Sequence, residues 1–251
     1  ERFWIRSGTA QPFVKVKDTL ARPQLVPPLD EQRRIVSILE DHLSRLDAAS
    51  HSLGKALHLV GVHWLATLRW AYDLATADGV SVPLGEVADT RLGKMLDAAR
   101  AKGSPTAYVR NQNVQWRSIG FTDLLEVPLT PEEITTFTIR RGDILVCEGG
   151  EPGRCALVTH LPDGPLAFQK AIHRVRVGDR ATGEFLLTML EAVVRLGMAT
   201  SLFTGTTIKH LPQEKLRTIE IPLPDLATQA EIVNRIASVQ EELSRLRLTL
   251  A

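Results

Sequence analysis

The strongest pattern along the chain is an apolar stripe. Val36, Leu39, Leu43, Leu46, Leu53, Leu57, Val60 and Trp64 follow alternating steps of three and four, interrupted only by Ser50. That spacing keeps one helix face apolar and marks a heptad seam. Pro27 and Pro28 lie upstream, outside the helix they would otherwise break, and Asp30 is positioned as its N-cap. Carried on through Trp70-Ala71-Tyr72, the helix would hold about 45 residues, roughly 65 Å at 1.5 Å per residue, so something long must pack along it. A second stripe supplies the candidate: Ile232, Ile236, Val239, Leu243, Leu246 and Leu250 keep the same steps. Matching seams predict an intramolecular coiled coil, antiparallel if the intervening segment brings the chain back. For either helix alone, a core-facing stripe in a bundle is the simpler reading. Gly54 and Gly61 each cost about 1 kcal/mol of helix propensity against alanine and permit a bend.

Between the stripes the periodicity changes. Short β-like runs bounded by Gly, Pro and Asp appear at 82–88, 107–114, 143–148, 155–161 and 171–177, and one helix is expected from Glu184 to about Leu202. This middle region reads as an α+β domain of ordinary size. The flanks repeat each other: LVPPLDEQRRIV (25–36) and PLPDLATQAEIV (222–233) align without a gap at an offset of 197 residues, and Gly8-Thr9 falls on Gly205-Thr206 in the same register. Internal repetition of this kind bears on the whole architecture. The chain opens inside an apparent strand, FWIRSGT, without an initiator methionine, so a piece of a longer polypeptide is expected.

Composition narrows the class. With 251 residues, 44% of them hydrophobic, the chain can build a packed core. A net charge of +1 leaves a polyanionic partner to be decided by a local basic face. Cys147 and Cys155 lack CxxC spacing, and His160 and His173 fit no standard finger, so reduced thiols in a cytoplasmic protein without structural zinc are expected. No run reaches the ~20 apolar residues of a membrane span.

Catalytic motifs are sparse. GGEPGRC (149–155) lacks the lysine and hydroxyl of a phosphate loop, and there is no HExxH, GxSxG or metal-nuclease cluster. Any active site would sit on a partner. Nucleic-acid chemistry is better represented. RNQNVQWR (110–117) gathers Arg110, Asn111, Asn113, Gln115 and Arg117, amides and guanidiniums of the kind that pair with adenine and guanine edges, although a polar loop beside a buried Trp116 explains the same residues. Arg91, Lys94, Arg100 and Lys102 suit phosphates, and the alternating strand AIHRVRV puts Arg174 and Arg176 on one face, either a solvated exterior or a backbone contact. In GTTIKHL (205–211), Thr206, Thr207 and Lys209 follow a glycine whose freed amides could hold a phosphate.

Taken together, GTTIKHL, IPLPDLATQAEIV leading into a seam, its twin LVPPLDEQRRIV with the following SRLD, and RRGDIL (140–145) resemble the DNA-specificity subunits of type I restriction-modification systems. The resemblance spans nearly the whole chain. It implies residues 1–28 as the tail of a first target-recognition domain, 29–77 as a central conserved helix, 78–225 as a complete recognition domain and 226–251 as a distal conserved helix. It also implies a non-catalytic subunit in host defence, reading one half of a bipartite double-stranded DNA target. The helices would dock DNA methyltransferase subunits and a restriction/translocase subunit. S-adenosylmethionine, ATP and Mg²⁺ would bind those partners and not this chain. The competing reading is a coiled-coil protein-interaction module that does not bind DNA.

Overall fold

A computed structural model of the chain describes Arg6, Ser7, Phe13, Val14, Lys17 and residues 25–95 and 102–250. The chain divides into two units, Glu1–Lys55 and Ala56–Ala251. In the first, β1 (Arg6–Ser7) pairs antiparallel with β2 (Phe13–Val14). Gly8, Thr9 and Arg100 lie outside the described residues.

One helix, α1, runs from Leu29 to Asp78. Pro28 precedes it, so Asp30, expected as the N-cap, sits inside the first turn, where its carboxylate accepts from the Arg33 side chain at 3.4 Å. The helix begins two residues ahead of the start that an Asp30 cap implies, and its first turn is closed by the Gln32 N–H donating to the Pro28 carbonyl. Its buried residues, Val60, Trp64, Thr67, Leu68, Ala71 and Ala75, all fall in the C-terminal half. Val36, Leu39, Leu43, Leu46, Leu53 and Leu57 are exposed.

The second unit continues with β3 (Val80–Pro83), a single turn α2 (Leu84–Val87), β4 (Ala88–Leu92) and β5 (Ser104–Val109). There follow β6 (Val114–Gln115), β7 (Ser118–Ile119), β8 (Leu125–Leu129), α3 (Pro131–Phe137), β9 (Asp143–Cys147), β10 (Cys155–Leu157), β11 (Leu166–Phe168) and β12 (Ile172–Val177). The chain then forms α4 (Gly183–Arg195), α5 (Gln213–Arg217), β13 (Glu220–Leu223) and α6 (Leu226–Leu250). Two sheets matter most: β10-β9-β12-β4, antiparallel throughout, and β11-β5-β8, in which β11 and β5 run parallel. Val109, Leu145, Cys147, Phe168 and Ile172 form a core with contributions from both sheets. The other face of the first sheet packs on α4, whose Phe185, Leu186, Met189 and Leu190 are almost wholly buried. The architecture is α+β.

Helix α4 ends at Arg195, short of the expected Leu202. Gly197, at φ +81, turns the chain left-handed, and the Gly197 and Met198 amides bond back to the Val194 and Val193 carbonyls. That is a Schellman stop, available only where a residue tolerates positive φ. The expected strand at 82–88 is split by α2, and that at 107–114 by a 3₁₀ turn over Asn111–Asn113.

Helices α1 and α6 share one core: Val60, Trp64, Leu68, Ala71 and Ala75 join Ile232, Ile236, Val239 and Leu243. They run antiparallel. The Gly79 backbone lies against Leu223–Pro224 at one end, and Trp64 and Leu243 line a common cleft at the other. The described part of α6 holds 25 residues, about 37 Å. Leu246 is 46% exposed.

Candidate nucleic-acid interface

Three loops converge on Gly149 and Gly150, just past the end of β9. The Asn111 side-chain amide donates to the Gly149 carbonyl at 2.8 Å. Gly149 also pairs with His210 in an antiparallel bridge, and the Leu211 amide donates to the Glu148 carbonyl at 2.7 Å. Gly150 sits at φ +74, and a Cβ there would stand 2.7 Å from the Asn111 amide nitrogen. Only glycine fits this approach without displacing Asn111.

The loop above this junction is closed by reciprocal backbone bonds between Thr204 and His210, each 2.8 Å. Gly205, at φ +91, makes the tight return, and Thr206, Thr207, Ile208, Lys209 and His210 are exposed along it. On the opposite side of Glu148, whose amide donates to the Ala171 carbonyl, Met95, Gln169, Lys170 and Ala171 line an open cleft of about 370 Å³. The loop exposes Lys209, two threonine hydroxyls and an imidazole, and the cleft, which Glu148 also lines, exposes Lys170. Ammonium groups, hydroxyls and free amides are the donors that hold phosphate oxygens. Among the described residues no three His, Cys, Asp or Glu side chains group as metal ligands.

The expected contact residues divide sharply. Thr206, Thr207 and Lys209 lie on the exposed loop, Arg91 is exposed on β4, and Lys102 is exposed before β5. Lys94 is tied to Glu133, whose carboxyl it pulls below the usual range. In RNQNVQWR most polar groups are consumed by the fold. Arg110 donates to both the carbonyl and the carboxylate of Asp123, at 2.6 and 2.7 Å. Asn113 is buried; its oxygen caps the Arg110 amide and its nitrogen donates to Asp123 at 2.5 Å. Gln112, Asn113 and Arg110 together hold the Asp123 carboxyl below its ordinary range. Asn111 braces Gly149, and its Oδ1 is buried without a partner. Gln112 and Gln115 remain exposed, Gln115 donating to the Gln112 carbonyl. Arg117 turns away from the surface to Glu191 and Thr188.

Arg174 and Arg176 correct the reading of AIHRVRV as a strand with a free arginine face. β12 lies inside its sheet, between β9 and β4. Arg174 is 4% exposed and donates to Asp89 and to the Thr136 carbonyl. Arg176 grips the buried Asp143 carboxylate through two bonds of 2.7 and 2.8 Å. Both cations are paired within the domain, Arg174 buried and Arg176 with 31% of its side chain exposed. Burial lowers the pKa of Arg174, and the Asp143 carboxylate raises that of Arg176.

The same strand carries His173, fully buried, with Nε2 2.8 Å from the Leu211 carbonyl and Nδ1 without a partner. A carbonyl can only accept, so Nε2 carries the proton and the ring is neutral; burial lowers its pKa. Cys147 and Cys155 are free and buried, and burial pushes the Cys147 thiol up to about 11. Nothing in the sequence marks Lys170 or Met95 as site residues, and the glycine pair stands out there only as the start of GGEPGRC, which lacks the lysine and hydroxyl of a phosphate loop. Lys170 is a single cation after a strand, and only the Lys94–Gln169 bridge brings it beside Met95.

Comparison with known proteins places this geometry. The type I restriction modification DNA specificity domain matches residues 78–249. A chain from the study "Structural basis underlying complex assembly and conformational transition of the type I R-M system" superposes with a TM-score of 0.74 at 21% identity, over 97% of this chain and 60% of that one. The HsdS subunit from Thermoanaerobacter tengcongensis superposes with a TM-score of 0.59 at 20% identity, over 98% of this chain and 59% of that one. No curated protein sequence matches. At these identities the superpositions show a shared fold, and this chain spans about three-fifths of the length of those structures. No helix among the described residues is long and apolar enough to cross a membrane. The match over residues 78–249 makes the chain a member of the type I restriction modification DNA specificity family.

Proposed function

We propose that the chain is a non-catalytic reader of DNA sequence, the specificity component of a type I restriction-modification complex. The observation that carries this is the coincidence of the family match over residues 78–249 with the braced, lysine- and hydroxyl-bearing face at Gly149–Gly150 in that same region. Thr206, Thr207, Lys209 and Lys170 contact phosphates, Arg91 and Lys102 are further exposed cations suited to that role, and Gln112 and Gln115, which each donate once within the protein, present their remaining amide groups to base edges. Residues 78–225 serve as one recognition domain reading half of a split target. The helices space it from a second reader and dock methyltransferase and restriction subunits. S-adenosylmethionine, ATP and Mg²⁺ belong to those cytoplasmic partners.

The exposed stripe from Val36 to Leu57 favours the docking role, since contiguous apolar surface of that kind marks protein interaction sites. Selection of bound duplexes from a random pool tests the reading role. A short enriched motif is expected; a pool that remains random after several rounds contradicts sequence reading.

A further inference from the structure

The hairpin that follows the Asn111–Asn113 turn is closed by a two-residue loop, Trp116-Arg117, between β6 and β7. Arg117 is at φ +60, the one non-glycine residue with positive φ among those described. A left-handed arginine is held against a backbone cost of about 1 kcal/mol or more, so its surroundings must fix it. They do so through Glu191, which is 1% exposed at the centre of α4. Its Oε2 accepts from Arg117 at 2.5 Å, and its Oε1 accepts from Arg195 at 3.0 Å and from the Trp64 indole at 2.7 Å. The Arg117 guanidinium also lies 5.0 Å from the centre of the Trp64 ring.

This node does not stand alone. Arg195 lies over the Trp116 ring at 5.4 Å, and the Trp116 indole donates to Glu151 at 2.7 Å. Glu151 pairs with Arg154, which donates to the Asn111 carbonyl at 3.1 Å. An unbroken series of ion pairs, hydrogen bonds and cation–π contacts therefore runs from Asn111, which braces the interface loop, to Trp64 on the long helix. At its centre the Arg117–Glu191 pair is buried, 12% and 1% exposed; a buried ion pair is an expensive way to gain stability, since apolar replacements often serve as well, and its best-attested use is to fix one arrangement over others. Here the elements joined are the turn that supports the DNA-facing loops and the helix that leaves the domain.

We propose that Glu191 is a positioning residue that locks the 110–117 turn to the Ala56–Asp78 part of α1 and so fixes how that part of the helix lies against the domain. The meaning of that placement for target choice rests on the DNA-reading function proposed above. The lock itself does not, and is tested without DNA. Nitroxide labels at Leu59→Cys on α1 and Glu126→Cys on β8, both exposed, report the separation of helix and domain by pulsed electron resonance. The native thiols, being buried, do not compete for label.

Three variants cut the lock differently. Arg117→Gly keeps the left-handed turn and removes the tether; Trp64→Phe removes the indole donor and keeps a ring; Glu191→Gln removes the charge. In each protein that retains its far-ultraviolet spectrum and a cooperative melt, the distance distribution should shift and broaden relative to the labelled parent. Distributions matching the parent in folded Arg117→Gly and Trp64→Phe would overturn the proposal, even if Glu191→Gln fails to fold. Loss of duplex binding plays no part in this outcome, so failure of the lock and failure of DNA reading are told apart.

Discussion

Gln229 donates its side-chain amide to the carbonyl of Pro224, five residues upstream, at 3.1 Å, and Gln32 does the same to Pro27 at 2.7 Å. The two glutamines are the aligned positions of the internal repeat, so the repetition in sequence is one bond made twice. In the second copy the amide does more. Gln229 is fully buried, donates also to the Arg180 carbonyl and accepts from the Thr182 amide, fastening the start of α6 to the loop that caps α4.

Gln229→Ala should therefore lower stability by about 2 kcal/mol, because it removes three hydrogen bonds made by a buried amide. Gln32, half-buried and with one such bond, should cost less than about 1 kcal/mol on the same substitution. Urea unfolding of the two variants measures the difference. Equal losses would show that Gln229 does not join α6 to the domain.

The paired arginines and the exposed lysines should separate in a different experiment. Arg176→Gln leaves the Asp143 carboxylate, 1% exposed, short of its cation and should cost about 2 kcal/mol of stability. It should leave the salt dependence of duplex binding unchanged. Lys170→Gln and Lys209→Gln should do the reverse, each reducing the slope of log affinity against log salt by about 1 while melting as the parent does. A reduced slope for Arg176→Gln in folded protein would put that arginine back on the DNA.

Acid should weaken the fold through His173 before it reaches the carboxylates. Its pKa in the folded chain is depressed by burial, so in the unfolded chain the ring takes a proton first. The stabilisation is complete above the unfolded value of about 6.5 and is lost as pH falls through the depressed folded value. The unfolding midpoint should decline as pH falls from about 6.5 toward the folded value, and the decline should be smaller in His173→Gln, whose amide can still donate to the Leu211 carbonyl. An identical pH profile in the variant would contradict a buried neutral histidine.

The exposed half of α1 makes an assembly prediction. Leu43 and Leu46 are 59% and 62% exposed, so Leu43→Glu with Leu46→Glu should leave the melting of the Ala56–Ala251 unit unchanged and weaken recovery with methyltransferase subunits. Undiminished co-purification would show that the stripe does not dock them.

Much of the fold is legible in the sequence where a repeating spacing carries it. The steps from Val60 to Trp64 and from Ile232 to Leu243 announce helix faces that share a core, and the strands β9 and β12 follow alternation and β-branched content. The ends of elements were less legible, because Gly197 could be passed over as a weak helix residue until its φ of +81 revealed a stop. The interface was least legible. Arg110, Asn113 and Arg117 have the side chains of base readers, and nothing in RNQNVQWR reveals that Asp123 and Glu191, 13 and 74 residues from Arg110 and Arg117, already occupy them. Polar residues advertise their chemistry locally, but whether that chemistry is spent inside the protein depends on distant partners.

The central claim is that this chain grips DNA, and a salt titration of duplex affinity tests it most directly. Neutralised phosphates release counterions, so log affinity should fall linearly with log salt at about 0.9 per phosphate contacted, with a slope of several units for a chain exposing Lys170, Lys209, Arg91 and Lys102. A flat response, or no measurable binding at low salt, would contradict the account.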